Sequence, residues 1–222
     1  GTCTSSRTAH SHPTLTQIMA LPVPGAAFVP PETDIRDALT REAVKQLVEN
    51  AQKTQTKNRI ADIVNEKSIV NAMIGLLATG GSTNHTIHLP AIARAAGIHI
   101  NWDDFDDLSQ IVPLICKIYP NGKADINQFH AAGGMSYVIR TLIDNGYLHE
   151  DVKTILGDGL EAFASEPVLK NNEIKWRIGP TTSGDANIIS DAQTPFSNNG
   201  GFRVVTGNIG RGIIKISAVK PD

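Results

Sequence analysis

Two cysteines, Cys3 and Cys116, are too few for a disulfide framework, and a reducing compartment, the cytoplasm, is the expected setting. No apolar run approaches the ~20 residues that a membrane-spanning helix needs, so a soluble chain with no membrane partner is expected. An excess of charge of either sign is missing too. Lys and Arg number 20 against 22 Asp and Glu, a formal net charge of −2, which removes the electrostatic basis for a nucleic-acid or polyanion partner. Residues 1–13 hold neither a basic start nor an apolar block, so no secretory signal is visible. No internal repeat is evident. With Gly1 in place of an initiator Met and an end at Asp222 just after a strand-like run, both ends read as cut, the expected mark of a trimmed piece.

What is present is globular in balance, 41 % hydrophobic and 19 % charged. The 222 residues suffice for one good core, or one domain and part of another. Pro13, Pro22, Pro24, Pro30 and Pro31 mark residues 1–31 as an irregular lead-in with a short helix over 14–20. Thr33 is placed to cap a helix in which Ile35, Leu39, Ala43 and Leu47 recur every four residues. Residues 52–59 are polar and aperiodic, a loop. From Glu66 onward Val70, Met73, Ile74 and Leu77 share one helical face, and Ile69 and Leu76 widen it, which predicts a largely buried helix.

Gly80 and Gly81 stop that helix, and a second apolar helix runs through Ile87, Leu89, Ile92 and Ala96 to Gly97. Residues 98–102 are predicted as a short strand. Asp103, Asp104, Asp106 and Asp107 suit the helix N-terminus that follows. Tyr119, Pro120, Asn121 and Gly122 form a turn, and a helix is predicted over 135–145 with Gly146 as its terminator. Later expectations are a strand over 152–156, a short helix over 159–165, and strands over 202–206 and 212–217 joined by Gly207, Asn208, Ile209 and Gly210. The expected fold class is α/β: a layered α/β domain over residues 1–190, then over 191–222 the first strands of a β-rich, barrel-like second domain.

The strongest local signal for chemistry is Gly80-Gly81-Ser82-Thr83-Asn84. Paired glycines let a backbone approach a ligand, while short polar side chains and the free amides of a helix start face the same place, an arrangement suited to a carboxylate or phosphate. The same residues also serve as a tight helix–helix connection in which Ser and Thr only cap, and spacing alone leaves both readings open. His85 and His88 share a helical face but lack a third ligand at clear spacing, which favours a structural pair over a metal site. Cys3 lies among small residues that let a thiolate reach a metal; Cys116, between apolar neighbours, reads as a core filler. Asp125 can cap a short helix, Gly133 and Gly134 can start the next, and His130 is a candidate for acid–base work or a surface histidine. The segments 149–151 and 198–201 read as polar turns.

Taken together, these segments resemble the dihydroxyacid and phosphogluconate dehydratase family. The residues that carry the resemblance are Gly1-Thr2-Cys3-Thr4 with Thr8-Ala9, Leu21-Pro22 with Pro24-Gly25, and residues 77–84 with His88-Leu89. The phosphogluconate branch of the family is similar at residues 100–105, 119–127, 148–152, 195–201 and 207–211, and the likeness runs nearly end to end. It implies a hydro-lyase that converts 6-phospho-D-gluconate to 2-keto-3-deoxy-6-phosphogluconate in the Entner–Doudoroff route. Also implied are a 4Fe-4S iron–sulfur cluster held by three cysteines and acting as a Lewis acid, with Mg2+ near the substrate carboxylate.

By that resemblance Cys3 is one cluster ligand, and Gly80, Gly81, Ser82, Thr83 and Asn84 bind a phosphorylated sugar acid. The family's other two cluster cysteines lie upstream of the matched stretch. Its proposed serine base, in a Gly-Arg-x-Ser-Gly segment, lies downstream. The fragment alone is therefore expected to be inactive, and the complete protein to form a homo-oligomer, a dimer. Where the family usually carries an aromatic pair and Gly after Cys-Thr, then Thr-Ala-Asn, this chain has Ser5, Ser6 and Arg7, then Thr8, Ala9 and His10. Two other readings are a dihydroxyacid or other sugar-acid dehydratase of the same family, and a non-catalytic anion-binding α/β module.

Overall fold

Eight α-helices and three two-stranded antiparallel hairpins build residues 8–53 and 58–219, the part that this computed structural model describes. The helices are α1 (Thr8–Ile18), α2 (Asp34–Gln52), α3 (Ile60–Ile63), α4 (Glu66–Thr79), α5 (His85–Ala95), α6 (Trp102–Ile111), α7 (Ile126–Ala131) and α8 (Gly134–Asp144). The hairpins pair β1 (Lys153–Thr154) with β2 (Gly157–Asp158), β3 (Ser165–Lys170) with β4 (Glu173–Ile178), and β5 (Arg203–Gly207) with β6 (Gly210–Ile214). The mixed α/β class matches expectation, and no barrel closes among the described residues. No helix among them is long and apolar enough to cross a membrane.

N-cap side chains set four of the eight described helix starts. Thr33 Oγ1 accepts from Arg36 N at α2, and reciprocal capping boxes join Asn65 to Ser68 at α4, Asn101 to Asp104 at α6 and Asp125 to Gln128 at α7. The Asn101 box also corrects one expectation. Residues 98–102 alternate like a strand, yet no strand among the described residues pairs with them; Ile98, Ile100 and Trp102 pack on the core from an irregular lead-in, and Trp102 already begins α6. A second correction concerns the last hairpin. Gly207 pairs with Gly210 across a two-residue turn, so the return strand begins at Gly210 and ends at Ile214, and residues 216–218 coil into a 3-10 turn. Pro13 lies inside α1, which begins at Thr8 rather than at residue 14. Of the stretch expected as a strand over 152–156, Lys153 and Thr154 pair.

The core forms around α4. Because α4 is apolar nearly all round, it is buried nearly all round: Ile69, Ala72, Met73, Leu76, Leu77 and Ala78 are at most 1 % exposed. α1 crosses it at Gly75, where an added Cβ would lie 2.1 Å from Ile18 Cδ1, so a larger residue there separates the two helices. Phe105 of α6, Val138 and Leu142 of α8, Phe163, Ile189 and Phe202 complete the same cluster. One buried polar side chain staples α4 to a distant loop. Asn71, fully buried, donates from Nδ2 to His149 O at 2.9 Å and accepts at Oδ1 from His149 N at 2.8 Å.

Removing that staple leaves both backbone groups of residue 149 short of a partner and a polar-sized gap beside α4. Asn71→Ala should lower the unfolding free energy by about 2 kcal/mol, measured by urea denaturation at pH 7.

Candidate functional site

α4 ends in a paired-glycine turn. Gly80 adopts a left-handed backbone (φ 56°, ψ 48°), which glycine takes without a Cβ penalty. Gly80 N donates to Leu77 O and Gly81 N to Leu76 O, the Schellman closure of a helix. The turn is then held from three sides. Asn121 donates from Nδ2 to Gly80 O (2.7 Å) and Thr79 O (3.3 Å), while its Oδ1 accepts from Ser217 Oγ (3.1 Å). Gly201 N donates to Leu77 O at 3.1 Å, and a Cβ on Gly201 would come within 3.0 Å of Gly80 Cα. The segment 198–201, which reads as a simple turn in the sequence, is thus a wall of the site.

The third side is the start of α1. Thr8 Oγ1 and Ser82 Oγ share a hydrogen bond at 3.0 Å, Asn84 donates from Nδ2 to Thr8 Oγ1 at 2.7 Å, and Ser82 N donates to Ser11 Oγ at 3.0 Å. Asn84 precedes α5 without capping it, because its side chain is drawn to α1 instead. Two of the three short polar side chains therefore join helices, as the connection reading requires. Donors nevertheless remain. Thr83 N and Thr83 Oγ1 have no partner among the described residues, and Thr8 and Ser82 use one of their two hydroxyl hydrogens on each other, so one is uncommitted whichever donates. These neutral donors sit at the start of α5, where the helix dipole favours an anion.

Beneath them lies a histidine cluster. His85 is fully buried; its Nδ1 lies 3.2 Å from Ser82 O, which can only accept, so Nδ1 carries the hydrogen and Nε2 the lone pair. That Nε2 has no partner among the described residues. His12 of α1 stacks on His85 at 5.7 Å between ring centroids, and His88 meets it edge-on at 5.4 Å. Burial, with a smaller push from the His12 and His88 imidazoles, pulls the His85 pKa down to about 4, so the ring is neutral at pH 7. No three His, Cys, Asp or Glu side chains among the described residues are arranged to hold a metal.

Of the remaining candidates, Cys116 is fully buried between apolar neighbours and desolvation pushes its thiol well up, so it is a core filler. His130 is exposed on α7 and lines a cleft with Glu166 and Arg177. Cys3 lies outside the described residues, as do Ser5, Ser6 and Arg7. Thr8, Ser11, His12, Asn121, Gly201 and Ser217 are site residues that local pattern alone does not find, because the hydrogen bonds that bring this site together span separations such as 41, 71, 76 and 96 positions and appear once the chain is folded.

Comparison with known proteins follows the same residues. The family described as dihydroxy-acid/6-phosphogluconate dehydratase N-terminal matches residues 1–163. The chain is 51 % identical over 222 residues to a phosphogluconate dehydratase of Pseudomonas aeruginosa, covering 100 % of this chain and 36 % of that protein. It is 49 % identical over 219 residues to a phosphogluconate dehydratase of Escherichia coli K12, covering 99 % of this chain and 36 % of that protein. Against a dihydroxy-acid dehydratase of Caldanaerobacter subterraneus identity is 33 % over 224 residues, covering 100 % of this chain and 37 % of that protein. The chain therefore spans 36 % of the length of the first two relatives.

Two outcomes test this geometry. Gly80→Ala forces a Cβ into a left-handed backbone and to within 2.2 Å of Asn121 Nδ2, so it should cost about 1–3 kcal/mol in thermal or urea unfolding. For His85 the unfolded pKa near 6.5 exceeds the folded value of about 4, so the unfolded chain takes up the proton first. Its contribution is complete above pH 6.5 and lost as pH falls toward 4, on the order of 3 kcal/mol. His85→Gln should flatten that part of the stability–pH curve.

Proposed function

The chain belongs to the dihydroxy-acid/6-phosphogluconate dehydratase family, and on that footing we propose that the complete protein is a hydro-lyase acting on 6-phospho-D-gluconate. The observation that carries the proposal is the contrast in identity. Over the whole chain it reaches 51 % with a phosphogluconate dehydratase and falls to 33 % with a dihydroxy-acid dehydratase. In the reaction the proton at C2 and the hydroxyl at C3 leave as water, and the enol that remains ketonises to 2-keto-3-deoxy-6-phosphogluconate.

In this reading the turn at Gly80, Gly81, Ser82, Thr83 and Asn84 seats the carboxylate end of the substrate. A carboxylate needs a few well-placed donors, and Thr83 N, Thr83 Oγ1 and the free hydroxyl hydrogen of the Thr8–Ser82 pair supply them without a long side chain to order. The neutral His85 beneath holds Ser82 O through Nδ1 and so fixes the turn. The described residues offer no thiolate, because their one cysteine, Cys116, is buried and protonated, and they do not by themselves fit an iron–sulfur cluster. The 4Fe-4S cluster, its ligand Cys3, the Mg2+ ion, a cytoplasmic setting and a dimeric assembly enter the proposal from the family resemblance.

Steady-state kinetics on the complete protein, assembled anaerobically with iron and sulfide, test the proposal. Conversion of 6-phosphogluconate is expected, with kcat/KM at least about 100-fold above that for gluconate or a branched dihydroxy acid, because lost phosphate contacts are worth several kcal/mol. Thr83→Val, which removes a hydroxyl with no partner among the described residues, should raise KM for 6-phosphogluconate about 10-fold and leave the unfolding midpoint nearly unchanged. Failure to turn over 6-phosphogluconate, or a preference for the unphosphorylated acid, overturns the assignment.

A further inference from the structure

Asn121, which holds Gly80 O, also lines a cleft of about 490 Å³ together with Lys117, Lys123, Gln128, Asp185 and Asn187. That volume lies within the 300–1,000 Å³ common for small-molecule sites. The cleft is electrostatically unbalanced. Lys45, Lys67, Lys153 and Lys175 each lie within 4.0 Å of a carboxylate, whereas neither Lys117 nor Lys123 has an ion-pair partner among the described residues. The ammonium of Lys117 is held 4.3 Å above the Phe196 ring, a cation–π contact that orders the head group but leaves its charge uncompensated.

The one carboxylate of the cleft, Asp185, is turned to local work: its Oδ1 accepts from Asn187 N at 2.9 Å and Nδ2 at 3.1 Å. Gln128 accepts at Oε1 from Asp125 N to cap α7, which leaves its Nε2 as an uncommitted donor among the described residues. Two lysines and a primary amide thus line a concave surface with a single carboxylate, a formal excess of positive charge.

The geometry points to this cleft as a binding site for a phosphate group, free or as the ester of a small metabolite, separate from the carboxylate seat at Ser82 and Thr83. An anion answers the excess of lysine over carboxylate, and neutral amide donors on the walls complete its hydrogen bonds. Through Asn121 the cleft adjoins the Gly80 turn, so an occupant would stiffen the amide that ties the turn to Ser217.

Nitrogen-15 NMR titration of the 222-residue chain tests the site. Inorganic phosphate and 6-phosphogluconate are added in separate arms, with chloride matched for ionic strength. Saturable shifts are expected at the amides of Lys117, Gly122, Lys123 and Gln128. Lys117→Met with Lys123→Met should weaken binding at least 10-fold, Lys117→Arg with Lys123→Arg should retain it, and Lys175→Met should leave it unchanged. Saturation in both arms identifies phosphate itself as the determinant; saturation with 6-phosphogluconate alone identifies the ester. Absence of saturable shifts at these amides, equal affinity in the double Met variant, or shifts confined to residues 82–84 overturns the inference. The last of these leaves the carboxylate seat intact, so the two readings fail separately.

Discussion

The carbonyl end of α4 is the constraint around which the rest of the structure is arranged. A buried helix C-terminus leaves carbonyls that water cannot reach, and each one left without a donor costs free energy. Here each is answered. Leu76 O accepts from Gly81, Leu77 O from Gly80 and Gly201, Ala78 O from Ile115, and Thr79 O and Gly80 O from the Asn121 amide. Donors from three distant stretches of chain therefore converge on one turn. Asn121 suits the corner because its nitrogen reaches two carbonyls while its oxygen accepts from Ser217, so its amide is in full use.

That rigidity has a chemical consequence. With carbonyls satisfied from below and Thr8 and Ser11 gripping Ser82 and Asn84 from the side, little of the turn's polarity is left to solvent. The donors that remain are fixed in place before any ligand arrives, and fixed donors lose little entropy on binding. Connection and binding, which compete for Ser82, Thr83 and Asn84 when the sequence is read alone, are divided between atoms. Side-chain atoms of Ser82 and Asn84 join helices, while Thr83 keeps its main-chain and hydroxyl hydrogens.

Local chemistry was legible in the sequence wherever it is settled within a few residues. Thr33 and Asp125 cap the helices they were expected to cap, Gly80 ends α4, and on the apolar face Met73, Ile74 and Leu77 are buried while Val70 is half-buried against the same core. Residues 98–102 misled because alternation describes a strand only when an edge is available to pair with, and Asn101 instead starts a helix. The β3–β4 hairpin turns at Asn171 and Asn172, both at positive φ, a signal hidden in polar texture. The walls of the site were not legible at all. Nothing near Asn121 or Gly201 in sequence marks them as donors to a helix end 41 and more positions away, since only the packed core brings them there.

Charge accounting separates the two anionic ends of the proposed substrate. The turn holds no Lys or Arg, and its cushion, His85, is neutral because burial beside two other imidazoles forbids the proton. Neutral donors at a helix start satisfy a monoanion, since each hydrogen bond to a charged group contributes about 1.5–3 kcal/mol and a carboxylate accepts few of them. A phosphate dianion drawn out of water demands more, and fixed positive charge is the usual answer. Such charge exists in this chain at Lys117 and Lys123, which share their cleft with one carboxylate, Asp185, beyond the same asparagine that closes the turn. Neutral donors on one side of Asn121 and an excess of lysine over carboxylate in the cleft it shares divide the chain's polar surface into two chemically different seats, each matched to a different anion.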